Sequence, residues 1–159
     1  MYYLIDIDGF IADVRGLLPL IQGESKDFDT YYGRILEAKP IESGVEFIRF
    51  LKAKGITPVY LTGRNDKCRE ATKQWLNSLF CDYEIFDYPV FDKDLLMRSD
   101  GDRRPVWVMK RDKTLALLES TGTTANQWVA IDDHAQNIAM FRELGMTTMH
   151  VQSDASFSE

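Results

Sequence analysis

Two aspartates two residues apart, Asp6 and Asp8, close the first apolar run of the chain, and Gly9 follows at once. In an extended strand residues i and i+2 face the same side, so both carboxylates would stand together where the strand ends. Gly9 frees the backbone to turn away there. Such a pair repels itself unless a cation or a shared proton intervenes. Mg²⁺, which takes carboxylate and carbonyl oxygens together with waters, suits the first role. A proton held at raised pKa on one Asp suits the second, and together they point to phosphoryl chemistry. The plainer reading is that both aspartates end a strand and support a turn. Two further polar clusters bear on that choice: Thr62, Gly63 and Arg64 follow one apolar run, and Asp132 and Asp133 close another.

The pattern of apolar residues says what could bring these clusters together. After a strand over 2–7, Val45, Phe47, Ile48 and Leu51 recur at helical spacing over 41–54, and Gly55 stops that helix. A strand over 57–61 precedes a helix over 66–79, with Ala71, Trp75, Leu76 and Leu79 on one face. A strand over 95–97, a helix over 106–120 opening near Pro105, a strand over 128–131, a helix over 135–144 and a strand over 147–151 complete the order. Strands alternating with helices predict βαβ units and a mainly parallel sheet covered on both faces. Ligands of such open sheets sit at the carboxyl ends of the strands. All three clusters fall at such ends.

A chain of 159 residues, 45% hydrophobic, is the size of one domain, here placed at 1–152 with a loose tail over 153–159. No apolar stretch approaches the span of a bilayer, and the start lacks the basic flank and long apolar core of a signal peptide, so the expected location is cytoplasmic, in a host cell if the chain is phage-encoded. Cys68 and Cys81 are too few for a disulfide framework and read as packing residues. A net charge of -6 argues against broad adhesion to nucleic acid or anionic membrane. Charge is uneven, however: 82–94 is acidic and aromatic, whereas 98–113 is strongly basic and could bind an anion locally.

With these residues in place, the chain resembles the haloacid dehalogenase-like phosphatase superfamily, whose four motifs stand here in order as LIDIDGF, VYLTGR, the lysine of VWVMKRD and AIDDHAQN. The resemblance implies a Rossmann-like three-layer α/β sandwich with minimal or no cap, and Mg²⁺ as cofactor. It makes Asp6 the nucleophile that forms a phosphoaspartate, Asp8 the general acid and base, Thr62 a phosphoryl ligand and Lys110 the third-motif lysine. Asp6, Asp8 through its carbonyl, Asp132 and Asp133 become the metal set. A closer resemblance links LLMRSDGDRRPVWVMK and WVAIDDHAQNIAMFRELGMTTMHV to the 3′-phosphatase domain of phage-type polynucleotide kinases. It implies a 3′-phosphorylated nucleic acid end as partner, with Gly63, Arg64, Arg98 and Arg104 on phosphate and Arg103 close by. No GxxxxGK[ST] loop occurs, so the kinase half has no counterpart here. The segment 82–94 looks longer than in that family, and Val106 and Trp107 stand where more polar residues are expected.

Other readings stay open at this level. Lys110 could be a solvated helix lysine beside Arg111 and Lys113; the GDRRP spacing favours Lys110 as the site residue. Arg64 could pair with Asp66 on the surface, and Arg98 and Arg104 could be surface arginines. His134 is read as the start of a helix, and Trp75, Trp128 and Phe141 as core. Tyr83, Phe86, Tyr88 and Phe91 could stack bases or cover an insert. Inserts over 16–39 and 82–94 would suit closure over a free nucleotide or another small phosphomonoester, the alternative substrate class. A binding protein that kept the fold and lost turnover is the alternative outside enzymes.

Overall fold

The computed structural model describes residues 1–80, 89–152 and 154. Strands β1 (Tyr2–Ile5), β4 (Val59–Asn65), β5 (Leu95–Arg98), β6 (Trp128–Asp132) and β7 (Thr147–His150) form one sheet in the order β5-β4-β1-β6-β7. Every pairing within it is parallel. Helices α2 (Glu42–Ala53), α3 (Arg69–Phe80), α4 (Val106–Thr121) and α5 (Ala135–Glu143) connect the strands. Alternation along the strands sorts the core into two layers. Ile5, Tyr60, Leu95 and Ile131 pack with Val45, Ile48 and Leu51 of α2 and with Trp75, Leu76 and Phe80 of α3. Leu4, Leu61, Trp128 and Ala130 pack on the other face with Leu117 of α4 and Met140 and Phe141 of α5. The result is the expected three-layer α/β sandwich, with Trp75, Trp128 and Phe141 in its core.

The chain leaves the central strand β1 at the point where the sheet order reverses, because β4 lies on one side of it and β6 on the other. Gly9 makes the turn possible. Its φ of +84° suits glycine, and a Cβ there would collide with the Asp133 carboxylate. Gly44 answers a different need, since a Cβ there would run into the Phe10 carbonyl and push α2 off that turn. Strands β2 (Ala12–Asp13) and β3 (Lys39–Pro40) then pair antiparallel. Between them runs a small insert with helix α1 (Phe28–Gly33), capped by the Asp27 carboxylate on the Thr30 N–H. It forms a rim over the strand ends, in keeping with a minimal cap.

Three expected boundaries move. The strand expected over 57–61 runs on to Asn65, carrying Thr62, Gly63 and Arg64 into the sheet with a register shift between Leu61 and Asn65. Polar residues stay in a buried strand because each finds a partner, Arg64 on Asp8 and Asn65 on Asp100. The helix expected over 66–79 begins as a 3-10 turn, Asp66–Cys68, with the Asn65 carboxamide accepting from the Lys67 N–H. Its buried face is Thr72, Trp75, Leu76 and Phe80, rotated from the expected Ala71 and Leu79, which are only partly buried. The first strand ends at Ile5, although Asp6 N–H still donates to Ile131 O at 2.9 Å. Cys81, Tyr83, Phe86 and Tyr88, most of the 82–94 insert and most of the tail lie outside the described residues.

Candidate active site

The carboxyl ends of β1, β4 and β6 bring the three clusters together around one lysine. Lys110, in the second turn of α4, is 1% exposed, and its ammonium lies 2.9 Å from Asp6 and 2.7 Å from Asp132. Burial acts to lower the Lys110 pKa, and the carboxylates of Asp132 and Asp6 more than offset it, so the ammonium stays charged. Arg111 and Lys113 point elsewhere in function: Lys113 reaches Ser99, and Arg111 is exposed. Burial pushes the Asp6 carboxyl well up; Lys110 opposes this, and Asp132, Asp133 and Asp8 reinforce it.

Asp132 is held from three sides. Its carboxylate accepts from Lys110, from the His134 N–H at 2.9 Å and from the Asn137 amide at 2.9 and 3.1 Å. His134 therefore acts through its backbone and immediately precedes α5, as its position in the sequence predicts. Asn137 was missed. The available signal was a polar residue beside Ile138 and one turn before Phe141, on the inward face of a helix, where a buried amide requires a partner.

Asp8 departs from the simplest reading of the aspartate pair. Strand geometry ends before it, and its carboxylate turns to Arg64 instead of joining Asp6. The guanidinium donates Nε to both Asp8 oxygens at 3.1 Å and Nη2 to Oδ1 at 2.6 Å. Arg64 is 2% exposed; its Nη1 donates to Thr72, and the group lies 5.7 Å from the Trp75 ring. Asp66, the other candidate partner, pairs with Arg69. Thr62 is fully buried, and its hydroxyl oxygen accepts from the Arg64 N–H. An accepted bond leaves the hydroxyl hydrogen free to donate to a ligand.

The basic stretch is more committed than its sequence suggests. Arg98 donates to the carbonyls of Gly63, Asp102 and Arg104, clamping the loop after β5 onto the strand end. Arg104 grips Asp102 through two nitrogens and reaches Asp112 with a third. The Arg104 guanidinium accordingly holds the Asp102 carboxyl well below the usual carboxylate range. Both arginines border a pocket of about 980 Å³ that also takes in Asp6, Asp8, Gly63, Arg64, Lys110 and Asp133. Phe91 is exposed and is not among the residues bordering it.

Among the described residues one acidic cluster has the reach of a metal site: Asp6, Asp132 and Asp133 each offer an oxygen, all within 4.8 Å of one another. Three carboxylates against the single ammonium of Lys110 leave a surplus of negative charge. All the donors are hard oxygens. Both facts fit a divalent cation such as Mg²⁺. The Asp8 carboxylate is not in this cluster.

A parallel sheet with an aspartate after its central strand, an acidic pair ending the next and a buried lysine between them defines the haloacid dehalogenase-like phosphatases. The sequence matches the family of the polynucleotide kinase PNKP phosphatase domain over residues 1–156. The chain belongs to that family, and it is a phosphatase. No curated protein matches the sequence. Among solved structures, a chain of the Pnkp1/Rnl/Hen1 RNA repair complex is similar at 22% identity and a TM-score of 0.70, over 95% of this chain and 42% of that one. This chain thus spans less than half the length of that relative. A haloacid dehalogenase-like hydrolase, SP0104 from Streptococcus pneumoniae, aligns at 12% identity and a TM-score of 0.59, covering 94% and 83% of the two chains. The enzyme bt-2542 from Bacteroides thetaiotaomicron, in complex with magnesium and inorganic phosphate, aligns at 14% identity and 0.53, covering 96% and 94%. No helix among the described residues is long and apolar enough to cross a membrane.

Proposed function

We propose that this phosphatase removes the 3′-phosphate from a nucleic acid end, with Asp6 as the nucleophile. Membership of the PNKP phosphatase family carries the substrate reading, and a relative found in an RNA repair complex accords with it. The buried Asp6–Lys110–Asp132 bridge supports the mechanism.

A carboxylate oxygen of Asp6 attacks phosphorus in line, forming the acyl-phosphate bond as the bond to the 3′ oxygen breaks. Asp8 gives its proton to the departing alkoxide and later takes one from the water that hydrolyses the acyl-phosphate. Arg64 is the positioning residue for Asp8, and Thr72 and Trp75 hold Arg64 in turn. The Thr62 hydroxyl, the Gly63 amide and the Lys110 ammonium face the nonbridging oxygens, where fixed donors meet the charge that redistributes in the transition state. Asp6, Asp132 and Asp133, with the Asp8 carbonyl, would hold Mg²⁺, which supplies positive charge against the repulsion between the phosphate and Asp6. Asn137 and the His134 N–H keep Asp132 aimed. Arg98 fixes the loop that borders the pocket.

The test is a panel of 3′-phosphorylated DNA, 3′-phosphorylated RNA, free nucleotides and sugar phosphates assayed with Mg²⁺. The expected result is a higher kcat/KM for 3′-phosphorylated oligonucleotides than for any mononucleotide. Preferred cleavage of mononucleotides would replace this substrate with the small-metabolite class. Absence of turnover on every substrate, with phosphate still bound, would favour a binding protein on the same fold.

A further inference from the structure

The pocket beside Asp6 is larger than a phosphoryl group needs, and part of its lining takes no part in the chemistry above. Phe28 and Tyr32 of α1 border it, together with Val106 and Trp107 at the start of α4. Single exposed apolar residues call for no explanation. Here Phe28, 43% exposed, stacks on Tyr32 one turn later at 6.1 Å between ring centroids and 27° between planes. Tyr32 in turn meets the buried Tyr31 edge-on at 5.5 Å. Tyr31 lies close enough to Asp8 and Arg64 for both to act on its hydroxyl, with burial the larger influence. A ladder of rings thus leads from the solvent edge of the pocket to the Asp8–Arg64 pair. Val106 and Trp107, the apolar departure from the family pattern, extend the same apolar lining.

The charges of the pocket single out one residue. Arg64, Arg98, Arg104, Lys67 and Lys110 each have a carboxylate partner within 4.0 Å. Among the described residues, Arg103 is the pocket cation with no ion pair, and it is exposed. An aromatic platform, apolar lining and one uncommitted cation are the chemistry that holds a single-stranded nucleotide.

We infer that Phe28 and Tyr32 are the stacking platform for the base of the nucleotide that carries the scissile phosphate, and that Arg103 binds the phosphate on its 5′ side. Asp29, also in the lining, offers an acceptor to an exocyclic amine of that base. The inference rests on the polynucleotide reading above and names the subsite behind it. It moves base recognition from the 82–94 aromatics to α1.

The test compares 3′-phosphorylated oligonucleotides whose terminal nucleotide carries a base or is abasic, with glycerol phosphate as the small reference. Stacking of one base on an aromatic side chain predicts that the intact protein prefers the base-bearing end by roughly five- to hundredfold in kcat/KM. Phe28→Ala should remove most of that preference and Phe28→Trp should retain it. Arg103→Ala should flatten the salt dependence of oligonucleotide hydrolysis by about one phosphate contact. A second readout needs no turnover: a terminal 2-aminopurine should be quenched on binding the Asp6→Asn protein, and not on binding Asp6→Asn with Phe28→Ala. If Phe28→Ala, folded with the wild-type Tm, keeps both the preference and the quenching, the platform is wrong while the substrate class stands. If oligonucleotides of both kinds are cleaved no better than glycerol phosphate, the polynucleotide reading itself fails.

Discussion

The floor and the rim of the pocket are built on opposite principles. On the floor Lys110, Asp6, Asp132, Asp8 and Arg64 are largely withdrawn from water, and every one has a partner. On the rim Phe28, Arg103 and Arg104 lie in solvent, and among the described residues Arg103 has no ion pair. A buried charge without a counter-charge costs several kcal/mol, so the floor can exist only as a mutually satisfied set. An exposed group carries no such obligation and is free to wait for a ligand. Changes to the floor should therefore shift stability as well as activity, downwards wherever a buried ion loses its partner, whereas changes to the rim should alter substrate choice alone.

The largest break is Asp6→Asn, which keeps shape but cannot attack phosphorus. Loss of a nucleophile should lower kcat by about a millionfold, as loss of a nucleophilic residue does elsewhere. The same change carries a pH signature. Because Asp6 holds its proton more tightly in the native state than in the unfolded chain, metal-free stability should fall as pH rises from the ordinary carboxylate value of about 4 through the raised one. Asp6→Asn removes that loss. Thermal melts without metal should show the variant more stable than wild type at neutral pH, with the two converging at acid pH.

Next comes Arg64→Ala, which strands the Asp8 carboxylate. Turnover should drop about a hundred- to ten-thousandfold, the usual worth of a positioned acid and base. Stability should fall by roughly 3–5 kcal/mol, the cost of unpairing a buried ion, readable in urea melts. Arg64→Lys should rescue little of either, because a point charge cannot reproduce the two-nitrogen grip. Asn137→Ala is smaller: a partner that orients a metal-binding carboxylate is worth about 10–100-fold in metal affinity. It should appear as a higher Mg²⁺ concentration for half-maximal activity. The smallest effect falls to Arg104→Ala, whose exposed pairs with Asp102 and Asp112 are worth about 0–1 kcal/mol. Its kcat/KM on 3′-phosphorylated oligonucleotides should change less than that of Arg103→Ala. The reverse order would return the phosphate contact to Arg104.

The floor was legible in the sequence because topology forces it. Asp6, Thr62 and Asp132 each end or follow an apolar run, and a parallel sheet gathers such ends at one edge. What escaped was pairing. Nothing in LTGRND says that Arg64 will turn from Asp66 to Asp8, 56 positions away. Such a contact depends on where β1 stops, and the pattern overran that point by two residues. Asn137 escaped for a related reason, since an inward polar residue is read correctly only once its partner is known. Arg98, in a stretch dense with arginine, gave no sign that it would serve backbone carbonyls. The aromatic rim was least legible: α1 is short, lies in an insert without clear periodicity and draws its meaning from the pocket it borders.

In the proposed mechanism Asp6 becomes covalently phosphorylated. Rapid quenching of the enzyme during turnover of a 3′-phosphorylated oligonucleotide, reduction with borohydride and peptide mass spectrometry test it directly, because an aspartyl phosphate is reduced to homoserine. The expected result is homoserine at position 6 and an unmodified carboxylate at Asp8, Asp132 and Asp133. An unmodified Asp6 while the enzyme is releasing phosphate at full rate, or reduction at any other aspartate, would contradict it.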